Sequence, residues 1–112
     1  MYAEVKLMDP HGEERTVPML AHAATPIRFK QLFNTDIMTG IVSADGTFDT
    51  EVVGKLAYIM AMAAAKVDMT TLSEEKYIEW LEGFDSATFI ENAQAVFNVY
   101  IRSKSNSSKA KK

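Results

Sequence analysis

The segment Val52–Val67, VVGKLAYIMAMAAAKV, constrains the fold more than any other part of the chain. Its ten residues from Leu56 to Ala65 include no charge and no turn former, and Ala, Leu and Met are strong helix formers. A helix that is apolar on almost every side needs cover on most of its surface. The run is too short to cross a bilayer, which takes about 20 apolar residues. The segment therefore predicts a central helix, enclosed either within one chain or with the help of partner copies.

The size and composition of the chain fit one small folded domain. It has 112 residues, of which 47% are hydrophobic and 24% charged, so it is too apolar to be intrinsically disordered. A net charge of -3 argues against a broad basic surface for nucleic acids, and the absence of cysteine excludes disulfides and Cys-based zinc sites. The first residues, MYAEVKLMDP, do not have the pattern of a signal peptide, so we expect a cytoplasmic protein.

Two alternating segments at the N-terminus predict a β-hairpin. In Ala3–Leu7 apolar and charged residues alternate, which is the period of a half-buried strand, and Arg15–Met19 alternates again. Between them Asp9–Gly12 supplies turn residues. Pro18 cannot donate to a ladder, so it restricts the second strand to a sheet edge. Because a lone hairpin is marginal in water, it must pack on the helices or extend a sheet of another chain.

The rest of the chain up to Arg102 predicts helices. The first helix is predicted to start at Thr25-Pro26, with Thr25 as N-cap, and a short second helix at Asp36, with apolar residues Ile37, Met38, Ile41 and Val42. The central helix is predicted to start at Asp49 or Thr50, the next at Ser73 and the last at Asp85-Ser86. Gly54 lies in the first turns of the central helix, where a close helix–helix approach would explain it.

Three of these helices carry apolar residues at helical spacing, which predicts the side that faces the core. Their predicted inner residues are Ile27, Phe29, Leu32 and Phe33; Tyr77, Ile78, Leu81 and Phe84; and Phe89, Ile90, Ala93, Val96, Phe97, Tyr100 and Ile101. The predicted fold is mainly α with a small N-terminal β-hairpin (α+β), a compact bundle of about four to five helices. Residues 1–102 form a single domain, with the hairpin in 1–20 and the helices in 25–102, and residues 103–112 form a disordered cationic tail.

The sequence offers little that could carry out catalysis. The histidines, His11 and His22, lie in a turn and a linker, where histidines are usually solvated, so no metal site is expected. The segment DGTFDTE (45–51) faintly resembles a calcium loop but lacks the glycine of the sharp turn and the final glutamate. We therefore expect neither an enzyme nor a cofactor. Three glutamates share a helix face in the manner of a solvated rim rather than a paired acid and base: Glu75, Glu79 and Glu82.

The methionine and tryptophan residues favour binding over catalysis. Of seven methionines, Met60 and Met62 lie inside the apolar helix; methionine adapts to varied partners, although filling the core is its other common role. Trp80 falls one residue off the inner stripe of its helix, where a half-exposed tryptophan either anchors an interface or closes the edge of the core. A short chain with an over-apolar helix gains cover by self-association, so oligomerisation is expected.

The chain resembles the tail assembly chaperones of long-tailed siphophages infecting Gram-positive bacteria in two segments, ATPIRFKQLFNTDIMTGI (Ala24–Ile41) and KLAYIMAMAAAKVDMTTLSEEKYIEWLEGFD (Lys55–Asp85). The likeness covers roughly residues 21–101 and is carried by the helix start TPIRFKQLF, the LAYIMA helix and the EWLEGF segment. These are not catalytic signatures. The N-terminal hairpin lies outside the resemblance.

The resemblance implies a small, mostly helical protein that is made in the infected cell and is absent from the finished virion. It would coat the long, apolar tape measure protein, keep it soluble, and pass it to the major tail (tube) protein during polymerisation. Such chaperones self-associate into rings or spirals and are commonly made in two forms, the longer by a programmed ribosomal frameshift. An A-rich slippery run encoding Lys111 and Lys112 would place a frameshift at the end of this chain, and the gene sequence decides this point.

We therefore expect a binding protein whose partners are the tape measure protein, the major tail protein and other copies of itself, without nucleic-acid or membrane binding. A small chain rich in methionine suits a helical, apolar client that docks by helix-in-groove contacts. Two other classes stay open: a head–tail connector or tail completion protein retained in the virion, and a small helical DNA-binding regulator, against which the acidic balance argues. The residues expected at the partner contact are Phe29, Phe33, Met60, Met62, Trp80 and Phe84.

Overall fold

The computed structural model describes the backbone of residues 1–37 and 49–109 and the side chains of 1–37 and 49–101. The described residues confirm the predicted α+β class, mainly helical with a small N-terminal antiparallel hairpin. The strands are β1 (Tyr2–Met8) and β2 (Glu14–Leu20). The helices are α1 (Thr25–Phe33), α2 (Thr50–Ala64), α3 (Glu74–Leu81), α4 (Thr88–Glu91) and α5 (Ala93–Lys109), and a 3-10 turn at Met69–Thr71 precedes α3.

Helix α2 is the predicted central helix, and a single chain covers it. Strand β2 and helices α1, α3, α4 and α5 all pack against it. Enclosure within one chain, one of the two alternatives that the sequence left open, is thus found, and self-association stays a prediction. Its buried residues are Val52, Val53, Gly54, Leu56, Ala57, Tyr58, Ile59, Met60 and Ala61.

Local capping sets the ends of the helices, as the sequence predicted for α2 and α3. The Asp49 carboxylate accepts hydrogen bonds from the N–H groups of Glu51 and Val52 at the start of α2. The Ser73 hydroxyl accepts a hydrogen bond from the Lys76 N–H, 3.2 Å away, at the start of α3. Both predicted starts are therefore confirmed.

The start of α1 differs from the prediction, because Ala24 and not Thr25 is its N-cap residue. Thr25 is the first helical residue, and its buried hydroxyl accepts a hydrogen bond from the His22 N–H at 2.9 Å. The side chain thus holds the linker from β2 instead of capping the helix. Helix α1 ends at Phe33, and its C-cap Asn34 has a positive φ of 56°, which gives the predicted break. Of the short helix predicted beyond it, Ile37 is described and buried, whereas Met38, Ile41 and Val42 lie outside the described residues.

The predicted last helix is interrupted at Asn92, which separates α4 from α5. Its amide Nδ2 donates hydrogen bonds to the backbone oxygen and hydroxyl of Thr88. Helix α5 continues to Lys109, although the sequence predicted a disordered tail over 103–112. Extending an existing helix costs less than starting one, so the polar segment SKSNSSK (103–109) can continue α5 although serine and asparagine are only moderate helix formers. Residues 110–112 lie outside the described backbone.

Three isoleucines predicted to face the core lie on the surface. Ile27, Ile78 and Ile90 are 58%, 55% and 63% exposed, whereas most other residues of the predicted stripes are buried or half-buried. Periodicity marks an apolar side of a helix, but the width of the covered strip depends on the neighbouring elements, and single exposed apolar residues are common. The prediction for these three residues is therefore wrong.

Thr88 joins the hairpin to the last two helices. It is fully buried, and its hydroxyl oxygen accepts hydrogen bonds from the Met8 N–H at 2.9 Å and from Asn92 Nδ2 at 3.2 Å. Thr88→Val keeps the shape of the side chain but leaves the Met8 N–H without its acceptor. We expect it to lower the free energy of unfolding by about 1–3 kcal/mol, measured by urea denaturation. Thr88→Ser keeps the oxygen and should lose clearly less; equal losses would contradict this role.

Candidate partner-binding surface

Seven aromatic rings form a continuous series of contacts through the helical part of the fold. All the pairs are tilted or edge-on, the arrangements that ring quadrupoles favour. The series starts at Phe29 on α1 and ends at Phe89 on α4, and its half-buried members are Trp80 and Phe84. The centroid distances are 5.2 Å for Phe29–Phe33, 5.2 Å for Phe33–Tyr77, 5.5 Å for Tyr77–Tyr58, 5.5 Å for Tyr58–Trp80, 4.7 Å for Trp80–Phe84 and 5.7 Å for Phe84–Phe89.

Three of the six residues predicted at the partner contact lie in the core. Phe29 and Met60 are 0% exposed and Phe33 is 8% exposed, so their side chains already contact other parts of the chain. A residue buried in this way is not accessible to a partner unless the fold opens, and the prediction is corrected for these three. Their apolar character reflects core packing, the other common role of such residues.

The other three, Met62, Trp80 and Phe84, are half-buried, and we call them the Trp80 patch. Trp80 is held by three rings, with centroid distances of 5.5 Å to Tyr58, 4.7 Å to Phe84 and 5.9 Å to Phe89. Because these contacts already fix the indole, little side-chain entropy remains to be lost on binding. Met62 follows Tyr58 by four residues on α2, so both side chains share one face of that helix. That these residues bind a partner stays a prediction.

A cleft of about 240 Å³ lies beside the patch, and its lining includes Phe89, whose ring contacts that of Trp80. Its walls come from the start of α2, from α3 and from the segment before α4, and most of its lining is apolar. A cavity of this kind suits a large apolar side chain. The lining residues are Thr50, Glu51, Gly54, Tyr77, Leu81, Ser86 and Phe89.

Gly54 and Tyr77 show why α2 and α3 approach closely at this cleft. A Cβ atom at Gly54 would lie 2.8 Å from the Tyr77 hydroxyl oxygen, so the close approach predicted for this glycine is confirmed. The Tyr77 hydroxyl donates a long hydrogen bond of 3.5 Å to the Glu51 backbone oxygen. Burial, together with a smaller effect of the nearby Glu51 carboxylate, raises the pKa of Tyr77 to about 12. The Tyr77 phenol therefore stays neutral at physiological pH.

The other candidates from the sequence do not form a site with the patch. His11 and His22 are exposed, and so are all three glutamates of the predicted rim. Of the calcium-like segment, 45–48 lies outside the described residues, while Asp49 caps α2 and the Glu51 carboxylate pairs with Lys55 Nζ at 3.0 Å. Within the described ranges, no group of three His, Cys, Asp or Glu side chains is placed to hold a metal ion. The helices of these same ranges include none with the length and apolar character of a membrane span.

Two residues that support the Trp80 patch were missing from the predicted set: Tyr58 and Phe89 are buried, and their rings lie against the Trp80 ring. Both belong to segments predicted to be apolar and inward, so periodicity placed them correctly but could not show that they would flank Trp80. That juxtaposition joins three helices and depends on tertiary packing. Comparisons of this chain with protein-family models, curated proteins and solved structures find no match.

Proposed function

We propose that this chain is a tail assembly chaperone of a siphophage, which binds the tape measure protein, keeps it soluble and recruits tail tube subunits. The observation that supports the proposal best is the Trp80 patch: two adjoining rings, Trp80 and Phe84, are half-buried at the surface next to an apolar cleft. Tryptophan held at the centre of an apolar surface is the residue that most often dominates a protein interface. The sequence resemblance supplies the identity of the client.

The geometry suits a client that is an apolar helix. One large side chain of the client would enter the cleft beside Phe89, and those three, four or seven positions along would lie on Trp80 and Phe84. Exposed carboxylates on α3 and at its C-cap, among them Glu79 and Glu82, provide a polar rim around the apolar centre. Such a rim keeps the unbound chaperone soluble and excludes water from the contact when the client binds.

A patch of three half-buried side chains fits a chaperone that must release its client. Interfaces that bury less than about 1,200 Å² are typical of weak and transient contacts. Several copies along a long tape measure protein would then hold it by many weak contacts. Tube subunits that polymerise around the client would displace these copies one at a time. In this proposal the protein acts in the cytoplasm of the infected bacterium and leaves the tail before the virion is complete.

Co-expression with the tape measure protein of the same phage tests the proposal. We expect that protein to be recovered in the soluble fraction only when this chain is present. Trp80→Ala should weaken the interaction by about 2 kcal/mol or more, the usual loss at an interface hot spot, and so return most of the client to the insoluble fraction. Unfolding curves of the variant would show whether enough folded chaperone remains at the expression temperature.

Ile78→Ala is the matched control, because Ile78 lies on the same helix, is more exposed than Trp80 and makes no ring contact to the patch. It should leave client recovery unchanged. Client that stays insoluble with the wild-type chain would contradict the proposal. Mass spectrometry of purified virions separates this function from that of a head–tail connector or tail completion protein. Stoichiometric amounts of the chain in the particle would favour a connector or completion protein over a chaperone.

A further inference from the structure

Strand β1 pairs with β2 along one edge, and the register shows which of its backbone groups face the other way. At one end of the ladder the Ala21 N–H donates to the Met1 oxygen at 2.8 Å. At the other end the Asp9 N–H donates to the Glu13 oxygen at 2.8 Å. Because hydrogen-bonded pairs alternate with the other kind along an antiparallel ladder, the odd-numbered residues of β1 bond to β2. The N–H and C=O groups of its even-numbered residues therefore point away from β2.

The outward side of β1 is closed at Met8 and open before it. The Met8 N–H donates to the Thr88 hydroxyl oxygen at 2.9 Å, and the Met8 oxygen accepts from the Asp85 N–H at 2.8 Å. No described residue bonds the other outward N–H and C=O groups of the strand, which we call the β1 edge. These groups belong to Tyr2, Glu4 and Lys6. Unpaired groups of this kind are a template for a further strand.

A groove of about 400 Å³ lies between strand β1 and helix α5. Small or branched apolar side chains line both of its walls, among them Ala3 and Val5 on the strand and Ala95 and Val99 on the helix. Sites of about 300–1,000 Å³ hold molecules of small-ligand size. The groove therefore suits a short segment of chain and not the whole face of a folded protein.

The charged side chains of β1 do not obstruct this edge as charges on an edge strand often do. Lysine on an edge strand is a common device against further pairing. Here Lys6 Nζ pairs with Glu14 Oε1 of β2 at 3.5 Å, so the ammonium group is directed toward β2. The outer edge of β2 is different, because the Pro18 nitrogen faces outward there and carries no proton. One edge of the hairpin is thus blocked and the other is left open.

The spacing of the groups on the β1 edge determines what can bind them. Each outward residue offers one N–H and one C=O, and such residues recur about 6.6 Å apart along a strand. An extended polypeptide repeats its own donors and acceptors at this distance, whereas a helix uses them within itself. The β1 edge therefore selects an extended backbone, in contrast to the helical client proposed for the Trp80 patch.

We propose that the groove binds an extended segment of another protein, which pairs with the β1 edge as a third strand of the hairpin. This is the mode of peptide recognition known as β-augmentation. Alternate side chains of the segment would face Ala95 and Val99, where apolar side chains fit, and those between would face solvent. The segment is thus one in which apolar and polar residues alternate. This inference does not depend on the chaperone function.

Amide NMR of the full chain, titrated with synthetic peptides, tests the proposal. The probes are acetylated and amidated heptapeptides in which serine alternates with alanine, valine or leucine. At least one of them should saturably shift the amide protons of Tyr2, Glu4 and Lys6 as these form hydrogen bonds. The amide protons of Ala3 and Val5 should shift less, because they already bond to β2. The same peptide with N-methylated backbone nitrogens keeps the side chains but cannot pair, so it should not bind.

Two pairs of variants locate the contact. Ala95→Glu fills the groove and should weaken peptide binding by about tenfold or more, while Gln94→Glu adds the same charge outside the groove lining and should change it by less than about twofold. Lys6→Pro removes an outward N–H and should also weaken binding about tenfold, whereas Thr16→Pro removes one on the outer edge of β2 and should not. Because Ala95 is exposed on a helix, its variant keeps the test valid even if a proline variant fails to fold.

Three results would overturn the proposal. One is that no peptide of the panel shifts the three outward amide signals at concentrations up to about 5 mM. Another is that the N-methylated peptide binds equally well, or that Ala95→Glu leaves binding unchanged. The third is that the same signals shift when the chain alone is concentrated, which would assign the edge to a second copy. None of these results involves the tape measure protein, so they leave the chaperone function to its own test.

Discussion

Met60→Ala should lower the free energy of unfolding by about 2–5 kcal/mol, while Met62→Ala should lower it by about 1 kcal/mol or less. The two methionines lie two residues apart on α2, but Met60 is 0% exposed and Met62 is half-buried. Truncating Met60 leaves a cavity within the core, whereas water reaches the space left by Met62. Urea denaturation measures both losses, and an unchanged m-value would show that the comparison is valid.

The same pair separates packing from binding. Met62→Ala should reduce recovery of the soluble client although the chain stays stable, because Met62 belongs to the Trp80 patch. Met60→Ala should reduce it only in proportion to the unfolded fraction, and a lower temperature should restore it. Equal losses of stability would mean that Met60 is not enclosed as described. If folded Met60→Ala failed to bind the client, Met60 would belong to the partner contact after all, although the structure buries it.

Gly54→Ala should destabilise the fold by about 1–2 kcal/mol, although alanine in a helix interior normally stabilises by about 1 kcal/mol. The added Cβ would lie 2.8 Å from the Tyr77 hydroxyl oxygen. That oxygen cannot move aside easily, because the Tyr77 ring is packed between Phe33 and Tyr58 at 5.2 and 5.5 Å. The steric cost of displacing the ring should therefore exceed the gain in helix propensity. Thermal or urea unfolding of the variant measures the balance.

Tyr77→Phe should reverse the sign of this effect. Without the hydroxyl, the nearest Tyr77 atom to a Cβ at Gly54 is the ring carbon at 3.9 Å, an ordinary contact. In the Tyr77→Phe background, Gly54→Ala should then be neutral or stabilising by up to about 1 kcal/mol. Tyr77→Phe alone should cost little, since the lost hydrogen bond is 3.5 Å long. If the effects of Gly54→Ala and Tyr77→Phe on the free energy of unfolding were additive, contact with the Tyr77 hydroxyl would not be the reason for the glycine at position 54.

The features that the sequence predicted correctly depend on neighbouring residues. Asp49 and Ser73 cap helices through N–H groups two or three residues away, and the hairpin follows from alternation on both sides of a turn. Gly54 was informative for a different reason, because a glycine near the start of a strong helix is costly unless something approaches closely. These local patterns therefore predict structure without knowledge of which other elements pack nearby.

The features that the sequence could not provide depend on which elements meet. Ile78 and Phe84 were both placed on the inner side of their segment, yet only Phe84 packs against the core, since the width of that side is set by α2 and α4. Phe29 and Met60 could equally have been surface anchors or core residues on composition alone. The enclosure of α2 within one chain required the hairpin to cover it, and the resemblance did not extend to the hairpin.

Fluorescence of Trp80 tests the central claim most directly, because this is the only tryptophan in the chain and it lies at the centre of the proposed contact. The chain would be titrated with tryptophan-free apolar helical segments of the tape measure protein, with Phe84→Ala as the comparison. We predict a saturable blue shift of the emission as the exposed side of the indole leaves water, and a much weaker response in the variant. An emission spectrum that stays constant while the segments bind, or segments that do not bind at any concentration, would contradict the account.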